Sequence, residues 1–312
     1  MTGRLPEIIL LFISLFIQGL PFLLIGALAS GFVSAFLPIQ RFISWVPRHP
    51  LKAALAGTLA GLLIPSCECV GLPLVRRLCI KGLPLSAALA FLFAGASINP
   101  IALSSTWLAF SFEGPTQALL IRLGGAVLLV LALALLLQRL GPVRILRPEL
   151  ISGQANPNPA NLVLPAPWLQ TRHPRLAVML NISFNDFCNV VLFYLFGSLL
   201  AASVQVFLTP LLGENLHGSW GIPFMMSSSI LSSICSSADA FVAKSYPGVA
   251  PAAVFAFLWI GPVLDLKLLV VYRSFFQTRA IVFLATLSIL LVFIMALLLD
   301  RVPPEWFLLI PW

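Results

Sequence analysis

The segment Pro65-Ser66-Cys67-Glu68-Cys69 places two thiols one residue apart with a carboxylate between them. Thiolates are soft donors, so the set suits a soft metal or a trivalent metalloid. Cys235 would add a third sulfur if the two halves of the chain face each other at mid-membrane. The competing reading is that each cysteine is a small apolar residue in a crowded helix turn. A C-x-C pair alone does not decide between the two. All five cysteines (67, 69, 79, 188 and 235) lie in or beside apolar segments. An odd count with no exposed framework argues against a structural disulfide set.

Three carboxylates, Glu68, Asp239 and Asp265, are embedded in apolar runs, with Lys244 and Lys267 nearby. Charge inside a membrane costs several kcal/mol unless paired or wet, which makes these residues candidates for proton exchange. The alternative is a structural ion pair, or a lysine snorkelling to an interface. Asp265 and Lys267 are two apart and would not face each other on a continuous helix, so Asp265 is expected at a helix break. Asn99 joins Cys67, Cys69 and Cys235 as a candidate for binding cargo. Asn181, Asn185 and Asn189 recur at helical spacing on one face, with Asp186 beside it. Hydrogen bonding between helices is the preferred account of them, ahead of a pathway role.

Other chemistries are excluded by what is missing. There is no phosphate-binding glycine loop with a lysine. No C-x-x-C or C-x-x-C-H occurs, and His49, His173 and His217 form no cluster in sequence. No cofactor is expected, and the chain does not read as an enzyme.

The elements that position these residues must be membrane helices. The chain is 60% hydrophobic and 9% charged, with a mean hydropathy of +1.05. A soluble domain carries about 25% charged residues. Residues 8–40, 82–112, 187–213, 215–238, 245–264 and 280–299 hold no formal charge, and a spanning helix needs roughly 20 such residues. The pattern predicts an all-α polytopic membrane protein with about 8–10 membrane segments. The first run exceeds the ~7–15-residue core of a signal peptide and reads as a retained helix, bent near Gln18-Gly19-Leu20-Pro21. The net charge of +8 reads as basic cytoplasmic loops rather than a nucleic-acid footprint.

Four regions follow. Residues 1–139 form a first membrane unit and 176–300 a second. Residues 140–175, rich in proline and flanked by arginines, are a linker expected in the cytoplasm. Residues 301–312, with Trp306 and Trp312, form an interfacial tail. The two units share one order: a long apolar segment, a segment broken near a cysteine, a segment broken near Asn99 or Asp265, and a clean span (117–138; 280–299). Pro65, Pro100 and Pro262 supply the breaks, because proline removes an amide donor and disfavours helix in the residue before it. Basic residues Arg48 and Lys52 before the first broken segment, and Arg76, Arg77 and Lys81 after it, fit a re-entrant hairpin with its tip at 65–69.

The units also align with each other. At an offset of 166 positions Ser66, Cys69, Gly82, Ala87, Ala90-Phe91-Leu92, Gly95 and Leu103 fall on identical residues, and Asn99 falls on Asp265. A second register at offset 171 pairs Gly26, Leu28, Val33, Phe36 and Leu37 with their likes. Composition alone would not keep a rare cysteine and two glycines in step. Two internal repeats with broken or re-entrant helices are the build of secondary transporters.

These motifs resemble a known family. Pro65-Ser66-Cys67-Glu68-Cys69-Val70-Gly71-Leu72-Pro73 with Lys81-Gly82-Leu83-Pro84, Ile98-Asn99-Pro100, Ser233-Ile234-Cys235-Ser236-Ser237-Ala238-Asp239, and Gly261-Pro262-Val263-Leu264-Asp265-Leu266-Lys267 are similar to the signatures of the UPF0718 predicted permeases. That group includes organoarsenical efflux permeases. Gly95-Ala96-Ser97 departs from the alanine-proline pair expected before Ile-Asn-Pro. The resemblance implies a multi-pass permease of the bacterial inner membrane, with the lipid bilayer and a small-molecule or metalloid cargo as its partners. It leaves the cargo open. A membrane thiol oxidoreductase cycling Cys67 and Cys69, a passive channel, and a permease for an organic solute with structural cysteines stand as alternatives.

Overall fold

The computed structural model describes residues 4–36, 46–47, 49–63, 71–72, 75, 78–79, 82–111, 114–141, 145, 174–212, 221–236, 238–246, 249–273 and 275–301. The proposed hairpin tip at 65–69, most of the 140–175 linker and the 302–312 tail lie outside these residues.

The principal elements are eleven helices among the described residues. They are α1 (Arg4–Phe36), α2 (Pro50–Leu63), α3 (Leu85–Ser97), α4 (Pro100–Ala109), α5 (Pro115–Gln138), α6 (Pro174–Leu212), α7 (Gly221–Ser232), α8 (Asp239–Lys244), α9 (Pro251–Ile260), α10 (Leu266–Tyr272) and α11 (Thr278–Asp300). Proline opens α2, α4, α5, α6 and α9. Its fixed φ suits the first helical position, and the amide it lacks would have had no partner there. Within α1, Pro21 does not interrupt the helix.

The protein is an all-α membrane protein. Among the described residues three stretches are long and apolar enough to cross a bilayer: Leu85–Ala109, which joins α3 and α4, then α5 and α11. Helix α5 has 24 residues, about 36 Å at 1.5 Å per residue, and exceeds the ~30 Å hydrocarbon core. The broken stretch is the most enclosed, with 83% of its central window buried, against 39% for α5 and 28% for α11. This ordering has a physical cause. A break frees main-chain groups that lipid cannot satisfy, so interrupted helices belong inside, and continuous ones can face lipid. Helix α11 accordingly exposes Val282, Ile289, Leu290, Ile294 and Leu298.

Helix α1 lies along α6. Helix α2 packs on α3, and α3 on α5; α7 packs on α9, and α9 on α11. Helix α5 then meets both α9 and α11 and joins the two sets. The α2–α3 contact depends on two small residues four apart. A β-carbon at Gly57 would overlap the carbonyl oxygen of Ala87, and one at Gly61 would lie 2.7 Å from the Ala94 β-carbon. Small residues at this spacing let membrane helices approach closely, and dispersion then holds them together.

One sequence expectation needs correcting. The 117–138 span is not clean, because Arg122 sits within α5 and is fully buried. An isolated arginine would not be tolerated there, so it must be paired, and the partner comes from the far half of the chain.

Candidate functional site

Three interruptions organise the interior. The first, Ile98-Asn99, separates α3 from α4. Asn99 is 4% exposed and caps α4: its Oδ1 accepts from Ala102 N at 2.8 Å, while its Nδ2 donates to the carbonyls of Gly95 at 2.8 Å and Ala96 at 3.5 Å. One amide side chain therefore serves the end of one helix and the start of the next.

The second interruption lies between α9 and α10, at Gly261–Asp265. Asp265 is 1% exposed and caps α10 by accepting from Leu268 N. This is the bond Asn99 makes, to the amide three residues on. Asp265 also carries a charge, and Lys267 answers it: Nζ lies 3.7 Å from Asp265 Oδ2. Residues two apart meet here because the cap residue is extended rather than helical.

The third interruption separates α7 from α8 and contains Cys235. Ser233 adopts φ 49°, a left-handed conformation that costs a non-glycine residue of order 1–3 kcal/mol and persists only where the surroundings enforce it. The enforcement is visible. The Ser233 carbonyl accepts from Lys267 Nζ at 3.5 Å and its Oγ accepts from Lys267 N at 3.4 Å. Half-buried Cys235 follows, and its carbonyl accepts from Ala238 N at 2.9 Å and Asp239 N at 3.2 Å.

Asp239 opens α8 and faces Arg122. The two side chains form a parallel fork: Nη1 donates to Oδ1 at 2.9 Å and Nη2 to Oδ2 at 2.7 Å. Nη1 also donates to Thr106 Oγ1 of α4 at 2.8 Å. Arg122 and Thr106 are fully buried and Asp239 is 2% exposed. Two parallel charge-assisted bonds fix orientation as well as charge. Among the described residues the Nε of Arg122 has no hydrogen-bond partner. Around this pair the contact tightens further. Trp259 Nε1 donates to the Arg122 carbonyl at 3.3 Å, and its indole lies where a side chain at Gly125 would be. Lys244 Nζ, at the far end of α8, donates to the Ala109 carbonyl at 2.9 Å and lies 5.6 Å from the centre of the Phe110 ring.

The segment from Ser233 to Asp239 is thus held at both ends by buried charge, with Cys235 between. Lys267, itself paired with Asp265, holds one end through Ser233, and Arg122 holds the other through Asp239. The structure brings Cys235, Asp239 and Asp265 into one short stretch and its immediate supports. Cys67, Glu68 and Cys69 lie outside the described residues. Among the described residues no group of three or more His, Cys, Asp or Glu could hold a metal ion. Asn181 and Asn185 are half-buried on α6.

Arg122, Thr106 and Trp259 were not singled out by sequence reasoning. A signal existed for Arg122. An arginine inside a stretch long and apolar enough to span requires a carboxylate, and few carboxylates are embedded in apolar sequence.

The chain is similar to known proteins along nearly its whole length. The family model described as "Predicted permease" (ArsP_1) matches residues 4–301. A protein of Streptococcus mutans serotype c named "Putative two-component membrane permease complex subunit" is 32% identical over 300 residues, covering 93% of this chain and 95% of the relative. The "UPF0718 protein YcgR" of Bacillus subtilis strain 168 is 30% identical over 287 residues, covering 90% of this chain and 93% of the relative. No solved structure matches.

Proposed function

The chain belongs to the family of predicted permeases, and from that premise we propose that it is a secondary exporter of a thiol-seeking metalloid, organometalloid or soft metal compound in the bacterial inner membrane. The observation that carries this reading is the Ser233–Asp239 segment. A half-buried thiol sits on an unwound stretch between two buried ion pairs, at the meeting of elements from both halves of the chain. Unwound segments at mid-membrane, where halves meet, are where transporters place their binding sites.

In this reading Cys67, Cys69 and Cys235 are the cargo ligands, with Asn99 beside them. Soft thiolates take soft acids, so the cargo is cationic or a trivalent metalloid compound. Glu68, Asp239 and Asp265 are the carboxylates that exchange protons. Asp239 has a built-in alternative to a proton, the Arg122 guanidinium, and Asp265 has the Lys267 ammonium. A carboxylate that can trade a basic partner for a proton supplies two arrangements of the seam between the halves. The units 1–139 and 176–300 are two repeats in this scheme, the linker 140–175 is cytoplasmic, and residues 301–312 lie at the membrane interface. The name of the streptococcal relative extends the scheme to a second membrane subunit as partner, which co-purification of the tagged chain from its own host checks.

The test is accumulation of arsenite, methylated arsenicals, antimonite, zinc, cadmium and copper in sensitised bacterial cells. Cells express the wild type or the Cys67→Ser, Cys69→Ser and Cys235→Ser variants. Lower accumulation of one cargo with the wild type alone supports thiol-dependent export. Equal accumulation of every cargo in all strains removes the cysteines from the mechanism and redirects the search to organic solutes. A change in thiol redox state during turnover would favour the oxidoreductase alternative instead.

A further inference from the structure

Several groups converge on the ammonium of Lys267, itself 5% exposed. Asp265 Oδ2 lies 3.7 Å away and the Ser233 carbonyl oxygen 3.5 Å away. The centre of the Tyr194 ring lies 5.8 Å away. These groups come from three places in the fold: the α9–α10 break, the α7–α8 break and α6. A buried carboxylate, a carbonyl freed by unwinding and the face of an aromatic ring are also what a small monovalent cation would bind. At the aligned positions of the first half Asn99 stands in place of Asp265, and Ile101, 41% exposed, in place of Lys267.

We infer that this junction is a monovalent-cation site whose resident cation is the chain's own Lys267 ammonium, so that the wild-type protein works without sodium or potassium. The backbone holds the lysine in place. Gly197 of α6 lies so close that a β-carbon there would be 3.1 Å from the Lys267 carbonyl oxygen and 3.2 Å from its Cα. This contact fixes the Lys267 backbone beside α6, and Asp265 Oδ2 and the Ser233 carbonyl then hold the ammonium. Its removal would leave Asp265 buried without its counter-charge, and breaking a buried pair from one side costs far more than the pair is worth. A small cation entering the vacated position would repair that loss. The consequence for coupling, a cycle indifferent to sodium, rests on the transport reading above; the binding site itself does not.

The experiment uses the full chain in detergent micelles. Unfolding midpoints are measured for the wild type, Lys267→Met and Lys267→Met/Asp265→Asn in choline, lithium, sodium and potassium chlorides at matched ionic strength. Lys267→Met is expected to gain a rise on the order of 5 °C at saturating sodium, lithium or potassium relative to choline. The wild type and the double variant are expected not to respond. A Lys267→Met protein that responds no more than the wild type overturns the inference, as does a double variant that responds equally. If Lys267→Met does not fold, Lys267→Gln is measured against the same criteria, with binding of radioactive sodium as a second readout. Transport by the wild type that falls several-fold when choline replaces sodium also overturns it. Absence of transport with the cation response intact would remove the permease mechanism and leave the site standing.

Discussion

The breaks after α3 and after α9 perform the same local task with different wiring. Asn99 and Asp265 both start a helix after a break, both extend the backbone, and both accept from the amide three residues on. Asn99 also donates to the carbonyls of Gly95 and Ala96 in the preceding helix α3. Asp265 instead engages Lys267, which reaches Ser233 in another broken segment. The cap of the first break carries no formal charge. The second is charged and linked outward. A cap satisfies a helix end in either case, so the charge at Asp265 is not required by the fold alone.

The contrast can be broken most sharply at the outward-linked end. Replacing Asp239 by Ala, or Arg122 by Gln, should cost about 3–5 kcal/mol, because either change strands a buried charge. Thermal unfolding in detergent reads this, and the joint Arg122→Met/Asp239→Leu variant should lose much less than the sum of its parts. Equal additive losses would mean that the fork contributes nothing as a pair. Exchange of the two caps tests the comparison directly. Asn99→Asp puts a charge at the uncharged cap and should cost several kcal/mol. Asp265→Asn keeps the cap but strands the buried Lys267 ammonium, so it should also cost several kcal/mol, while abolishing any pH dependence of transport that Asp265 carries; unchanged coupling would remove Asp265 from the mechanism. Gly57→Leu, in a region with neither break, should cost about 1–3 kcal/mol through overpacking against Ala87. The smallest change is Asn99→Ala, expected at about 1 kcal/mol for a lost cap and read by the same unfolding assay.

The breaks were legible in the sequence because their causes are local. Proline after Asn99, and Gly261-Pro262 before Asp265, announce interruptions without any knowledge of the partner helices. The membrane class was legible for the same reason, since long uncharged runs permit few alternatives. The pairings were not legible. Arg122 meets a residue 117 positions away, and no local pattern encodes that distance. The 117–138 span read as clean because a single arginine near its start resembles a flanking anchor. Trp259 likewise gave no sign that it would fill the space over Gly125, since its neighbours are uniformly apolar. Ser233 resembled an ordinary small residue beside Cys235, and its strained backbone follows from contacts with Lys267 that only the assembled bundle supplies.

The separation between Arg122 and Asp239 has a consequence for how the protein is made. Ribosomes add about 5–20 residues per second, so the 117 residues between the partners take roughly 6–23 s to appear. During that interval α5 is already synthesised, with an arginine in its interior whose final carboxylate partner has not yet been made. Thr106 of α4 is already in the chain, but a hydroxyl does not neutralise a guanidinium. The helix must either wait beside the translocon in contact with water or enter lipid at a cost of about 2.5–3.5 kcal/mol. The arrival of α8 is therefore the step at which Arg122 gains its final partner.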